Sequence, residues 1–139
     1  MKVKIKKLHQ EIILPSYAHP GDVGLDLRSL KDCVIQPGER EIFDLGFAME
    51  FETGYTALVK DRGSMSKNGL HTTGGVYDAG YRGEYVVQLI NLGQKPYKII
   101  KGDKIAQLII MPVIIADLEE TNNLSESSRG TNRWGSTGR

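Results

Sequence analysis

The sequence contains a single cysteine, Cys33, in 139 residues, so it cannot close an internal disulfide. A core of this size holds without a covalent staple, and one lone thiol fits a reducing compartment. A cytoplasmic setting is therefore expected. Charge of one sign is also missing: 18 Lys and Arg stand against 17 Asp and Glu. No net field favours a nucleic acid or an anionic membrane surface, and neither is expected as a partner. The longest apolar stretch, residues 105–116, contains Gln107 and Pro112 and is shorter than the roughly 20 residues that a spanning helix needs. It reads as core. Residues 1–7 alternate charged and apolar side chains with no signal-peptide type of apolar segment, and read as a strand. Cys/His metal spacing, a G-x-S-x-G motif and a phosphate-binding P-loop are all lacking. The three histidines, His9, His19 and His71, lie in separate segments and read as solvated rather than ligating.

Helical periodicity and solenoid-length repeats are lacking too, whereas glycine, at 16 of 139 residues, exceeds the usual share of about 7%. Short apolar runs bounded by Gly and Pro turns recur throughout, including a long extended run over residues 40–51. They predict one all-β domain, a sandwich, jelly roll or barrel. Beyond Leu118 the composition shifts to Glu, Thr, Asn and Ser, which divides the chain into a core, residues 1–118, and a mobile tail, residues 119–139.

Within this frame the stretch from Gly74 to Glu84 gathers four glycines, Asp78, Tyr77 and Tyr81 ahead of a Val-rich run. It reads as a tight hairpin, where glycine lets a ligand lie against the backbone and the turn fixes a carboxylate. An ordinary β-turn with a solvated aspartate has the same composition. The polar loop around Arg62, Gly63 and Ser64 reads either as a surface loop or as one helical turn with free N–H groups, an anion site. The last eleven residues set the only tryptophan, Trp134, among Arg129, Arg133, Gly135, Ser136 and Thr137. An aromatic plane beside hydroxyls and arginines suits a base and a phosphate chain. With Gln107, Asp26 on a predicted strand and Asp78, the inventory fits a phosphate ester, a divalent metal and an activated water.

Five segments, in order, carry a resemblance: Asp22-Val-Gly-Leu-Asp26-Leu27; Arg62-Gly-Ser-Met65; Gly75-Val-Tyr-Asp78-Ala-Gly-Tyr81-Arg-Gly83; Gly102-Asp-Lys-Ile-Ala-Gln107-Leu108; and Arg129-Gly130 with Gly135-Ser-Thr-Gly138. Together they resemble the trimeric dUTPase family. The resemblance implies a homotrimer of jelly-roll (distorted β-barrel) subunits with flexible C-terminal tails and sites at subunit interfaces. It implies Mg²⁺-assisted hydrolysis of dUTP to dUMP and pyrophosphate, which limits uracil in DNA and supplies dUMP for thymidylate synthesis. Asp78 would activate the attacking water, Tyr81 would stack on the deoxyribose, and the backbone at Gly75 and Val86 would pair with uracil. Asp26 would sit beside the metal's water shell. Arg62, Gly63, Ser64 and Gln107 would meet phosphates, and the tail would close with Trp134 over the base and Arg129, Gly135, Ser136 and Thr137 around the γ-phosphate.

Four residues depart from the family pattern: Gly63 stands where serine usually follows the arginine, Trp134 replaces phenylalanine, Arg133 replaces a glycine, and Tyr77 stands where an aliphatic residue is common. Two other functions share the fold. A dCTP deaminase would carry a catalytic glutamate where this chain has Gln88, and a non-catalytic regulator would have lost Asp78 or the tail.

Overall fold

Antiparallel pairing accounts for nearly all the regular structure of this computed structural model, which describes residues 1–134. A four-stranded sheet runs β2 (Gly24–Arg28), β11 (Lys104–Pro112), β6 (Tyr55–Lys60), β8 (Val76–Asp78). A three-stranded sheet runs β4 (Arg40–Asp44), β9 (Val86–Asn91), β7 (Leu70–Thr72), and two ribbons pair β1 (Lys4–Lys7) with β5 (Phe47–Glu50) and β3 (Cys33–Ile35) with β10 (Tyr97–Ile99). The fold is an all-β jelly roll with an extended C-terminal tail. No helix among the described residues is long and apolar enough to cross a membrane.

Strand periodicity explains the core. Along β9, Val87, Leu89 and Asn91 point inward while Val86, Gln88 and Ile90 are half-exposed, the two-residue alternation of a pleated strand. Val87 and Leu89 join Leu27, Phe43, Phe47, Ile105 and Leu108 in one apolar cluster drawn from both sheets. The fully buried Asn91 is satisfied: its amide donates to the Ile35 and Lys95 carbonyls at 2.8 and 2.9 Å and accepts from the Gly93 N–H at 2.9 Å.

Two sequence expectations are corrected here. The run over residues 40–51 is not one extended segment, because it breaks at Leu45 and Gly46. Gly46 takes φ +73°, and a Cβ there would lie 2.6 Å from the Ile12 side chain, so only glycine lets the chain turn from β4 into β5. Nor is the stretch from Gly74 to Glu84 a tight hairpin. It is the broad tip of the antiparallel β7–β9 pair, whose ladder runs on to the Thr73 N–H and the Gln88 carbonyl at 3.0 Å before β8 turns aside. β8 pairs with β6 and β9 with β4 and β7, so residues 79–85 cross from one sheet to the other. Aromatic bulk is the reason: the Tyr77 ring stacks on Tyr85 at 4.0 Å and Tyr85 on Phe47 at 5.3 Å. The Tyr77 hydroxyl holds Val86 N–H and C=O, at the position that the β7–β9 register would set opposite Gly75.

The loop after β6 is pinned at Asp61. Its carboxylate accepts the Thr72 N–H and the Thr72 hydroxyl, both at 2.6 Å, and hydrogen-bonds Nδ1 of His71 at 2.8 Å. His71 is therefore a half-buried structural partner and not the solvated side chain expected from sequence, whereas His9 and His19 are exposed. Helix α1 (Gly63–Lys67) begins directly after, with Met65 buried beneath it. Burial alone would push the Asp61 carboxyl up, but the bonds from Thr72 and His71 outweigh it and hold the group below the ordinary 3.8. A carboxyl held low in the fold stabilises at pH above its unfolded value, and that contribution is lost as pH falls through the folded value. Asp61→Asn should lower stability by about 1.5–3 kcal/mol at neutral pH, the scale for hydrogen bonds to a charged group. The deficit should shrink in thermal melts taken from about pH 5 down to about pH 2. A deficit that stayed constant over that range would show that the charge of Asp61 is not what matters.

Candidate active site

Strands β2 and β11 place Asp26 opposite Gln107 and Arg28 opposite Lys104. Positions 104 and 107 would face opposite ways on a regular strand. A bulge between Lys104 and Ala106 inserts the extra residue that brings both to the side of Asp26. Asp26 is only 8% exposed, yet two cations neutralise it: Arg62 Nε lies 3.0 Å from one oxygen and Lys104 Nζ 2.5 Å from the other. Two positive charges on one negative leave the cluster net cationic, as a phosphate chain requires.

Gln107 is aimed by its neighbours. Its amide nitrogen donates to the Asp61 carbonyl at 2.7 Å, and its oxygen lies against Gly24, where a Cβ would stand 2.1 Å from it. These residues open onto a cleft of about 500 Å³ lined by Asp22, Asp26, Arg62, Gly63, Ser64 and Gln107. Ser64 is exposed at the first turn of α1, where the first helical hydrogen bond is that of the Met65 N–H to the Arg62 carbonyl. Gly63 needs no special φ and a Cβ there would meet nothing within 4 Å, so the departure from serine is not forced by packing. Five expected site residues, Asp26, Arg62, Gly63, Ser64 and Gln107, thus come together. Sequence reasoning missed Lys104 and Gly24; the first sat in a recognised turn, but only the bulge turns it toward Asp26.

A second patch surrounds the end of β8. Asp78 is exposed, and its carbonyl accepts the Tyr81 N–H at 3.0 Å in a turn. The Tyr81 ring is 42% exposed, its hydroxyl donates to the Glu84 carbonyl at 3.0 Å, and a Cβ on Gly83 would lie 2.4 Å from that hydroxyl. Gly75 is a glycine for a local reason: it takes φ +92°, and a Cβ would meet Val59 at 2.7 Å. Both main-chain groups of Val86 are engaged by Tyr77, whose hydroxyl donates to the carbonyl and accepts from the N–H, each at 2.8 Å. The aliphatic-to-Tyr77 departure therefore has a structural use. Burial pushes the Tyr77 phenol up, partly countered by Val86, and pushes Tyr85 up to about 12.

The two patches do not meet within one chain. Asp78 pairs with Thr56 at one end of β6, and Gln107 pairs with Lys60 at the other, on the opposite flank of the strand. Four residue steps of about 3.3 Å put them about 13 Å apart along the strand alone. Among the described residues the tail joins neither patch. Residues 111–134 are exposed throughout, the Arg129 guanidinium donates to the nearby Asn132 and Arg133 carbonyls, and Trp134 is 98% exposed. Gly135, Ser136 and Thr137 lie outside the described residues.

Among the described residues no three His, Cys, Asp or Glu side chains converge to hold a metal. Asp22 and Asp26 both line the cleft; the two carboxylates make no protein cage, but they suit Mg²⁺, which keeps several waters and takes phosphate oxygens as ligands.

The family model described as dUTPase matches residues 10–138. A deoxyuridine 5'-triphosphate nucleotidohydrolase of Nautilia profundicola is 42% identical, with 100% of each chain covered. One from Corynebacterium glutamicum is 45% identical, covering 99% of this chain and 95% of its own. Among solved structures, the Staphylococcus bacteriophage 80alpha dUTPase with dUPNHPP superposes with a TM-score of 0.91 at 26% identity, covering 99% of both chains. A dUTPase from phage phi11 of S. aureus, in which a structural Mg(II) ion is coordinated, superposes at 0.82 with 23% identity, covering 91% of this chain and 100% of its own. The chain belongs to the dUTPase family.

Proposed function

We propose that the protein hydrolyses dUTP to dUMP and pyrophosphate at sites that each draw on more than one copy of the chain, assembled as a homotrimer in the cytoplasm. The observation that carries the reading is the division of the family's motifs between two patches at opposite ends of β6. A general base must come within hydrogen-bond reach of the water that attacks the α-phosphorus. Asp78 of one chain cannot do so for phosphates held by Arg62, Ser64 and Gln107 of the same chain. A neighbouring copy that presents its Asp78 patch to this cleft completes the site.

In that arrangement the Arg62, Lys104 and Asp26 cluster anchors the triphosphate, with the Ser64 hydroxyl and Gln107 amide as further contacts and Gly63 leaving room beside them. Asp26 would hold Mg²⁺ through water, and the ion, when bound, would supply charge neutralisation for the triphosphate and the leaving pyrophosphate. Asp78 takes the proton of the attacking water. Tyr81, braced by Glu84 and given room by Gly83, presents its ring to the deoxyribose, while the backbone of Gly75 and Val86 reads the uracil edge. The core, residues 1–118, supplies these groups, and residues 119–139 form the lid: Trp134 covers the base, and Arg129, Gly135, Ser136 and Thr137 reach the outer phosphates and exclude water.

Asp78→Asn should fold and bind nucleotide normally but turn over roughly 10²–10⁴-fold more slowly. Mixing it, after dissociation and reassembly, with an equally inactive Arg62→Ala protein should restore activity in roughly one site of three in mixed trimers, since one interface then pairs two intact patches. No recovery in verified mixed oligomers would show that each site is made by a single chain.

Gly24→Ala places a methyl where the Gln107 oxygen lies and should raise KM for dUTP by about tenfold, as should Gln107→Ala. In the double variant the two losses should not add. Full additivity in steady-state kinetics would mean that Gly24 does not act through Gln107.

As the only tryptophan, Trp134 should change fluorescence on binding a non-hydrolysable dUTP analogue and much less with dUMP, which lacks the outer phosphates. Deleting residues 129–139 should leave the core folded while reducing catalysis far more than dUMP binding. An unchanged signal at saturation, with full activity in the truncated protein, would rule out the lid.

A further inference from the structure

The Tyr77 hydroxyl makes two hydrogen bonds to a single residue, donating to the Val86 carbonyl and accepting from the Val86 N–H, both at 2.8 Å. An extended residue directs its N–H and C=O to the same side, and a partner must offer an acceptor and a donor together. A hydroxyl does so. So does the imide edge of uracil, which carries an N–H beside a carbonyl; cytosine carries its donor and acceptor in the reverse order. We propose that Tyr77 occludes the base-reading backbone: its hydroxyl stands in for the base edge on Val86 and must be displaced when a uracil nucleotide enters. The inference rests on the reading of Val86 as a base-reading group.

Other features of the stack bear this out. Tyr77 cannot yield by moving its backbone, because β8 is paired with β6 and the Tyr77 carbonyl accepts the Thr56 hydroxyl at 2.9 Å. Displacement is therefore a side-chain rotation that breaks the two bonds to Val86 and opens the stack on Tyr85. Two buried side-chain polar atoms lack a partner among the described residues, Thr73 Oγ1 and the Tyr85 hydroxyl. They belong to the two segments on either side of Tyr77: the Thr73 N–H donates to the Gln88 carbonyl at 3.0 Å, and Tyr85 immediately precedes Val86. Unsatisfied buried hydroxyls are rare, and one of the two is carried by the ring that stacks on Tyr77. The two Tyr77–Val86 bonds re-form when the product base leaves.

The exchange costs the wild-type protein two hydrogen bonds that a variant without the hydroxyl does not have to break. Tyr77→Phe should lower KM for dUTP, and Kd for dUMP by calorimetry, by about three- to tenfold, the scale of hydrogen bonds that exchange partners. The gain should fall mainly on KM, and the ¹⁵N-labelled Val86 amide should shift more on adding dUMP than in the wild type. Tyr77→Ile, which removes the ring as well, should bind at least as tightly as Tyr77→Phe. An unchanged or raised KM in both variants, with dUTP still hydrolysed by the wild type, overturns the exchange and makes Tyr77 a structural brace. A fall in KM confined to Tyr77→Ile would put the obstruction in the ring and overturn the role of the hydroxyl. Failure of the wild-type protein to hydrolyse dUTP would overturn the reading of the site, and this inference with it.

Discussion

A carboxylate taken almost wholly out of water has to be neutralised, and Asp26 is neutralised by cations from two separate parts of the chain, Arg62 and Lys104. Burying it unpaired would cost several kcal/mol, so the cluster forces agreement among elements that have little else to hold them in register. Strand β2 supplies the charge, the bulged start of β11 supplies Lys104, and the loop leading into α1 supplies Arg62. The loop in turn is held at its other side by Asp61 on β7 and by the Gln107 amide on the Asp61 carbonyl. Folding the core and shaping the phosphate cleft are thus one event, and a substitution at Asp26 acts on both.

Strand β6 divides what it organises. Its Lys60 end pairs with Gln107 of the cleft and its Thr56 end with Asp78, with β11 on one flank and β8 on the other. In the proposed assembly a ring of head-to-tail contacts would bring the two patches together and leave none over. Two apolar side chains just ahead of the tail stand out on the single chain. Ile114 and Leu118 are more than 90% exposed in the single chain, the sort of surface that association buries.

Much of the site was legible in the sequence because each part obeys a local rule. Two-residue alternation and Gly or Pro turns gave the strands, and five ordered segments gave the family. For the polar loop closed by Gly69 the sequence left a surface loop and a helical turn both open, and the folded chain forms the turn, Gly63 to Lys67. Other features depended on residues far apart in the chain. Lys104 and Gly24 read as turn and strand residues; the bulge in β11 and the close approach of the Gln107 oxygen make them part of the site. His71 read as solvated because its partner, Asp61, lies on a different strand connection.

The sequence by itself determined the all-β class, the family and the chemical inventory, since composition, periodicity and motif order are local properties of the chain. Tertiary structure decided which of those groups meet. A tight hairpin at Gly74 to Glu84 was the local expectation, yet three stacked aromatic rings and a phenol bonded to Val86 send the chain from one sheet to the other. The side-chain partners that outcompete a backbone ladder come from other strands, so no window of sequence contains both competitors. For the same reason the placement of Asp78 and Gln107 at opposite ends of β6 is invisible in their spacing: it is set by strand register, which only the packed sheet fixes.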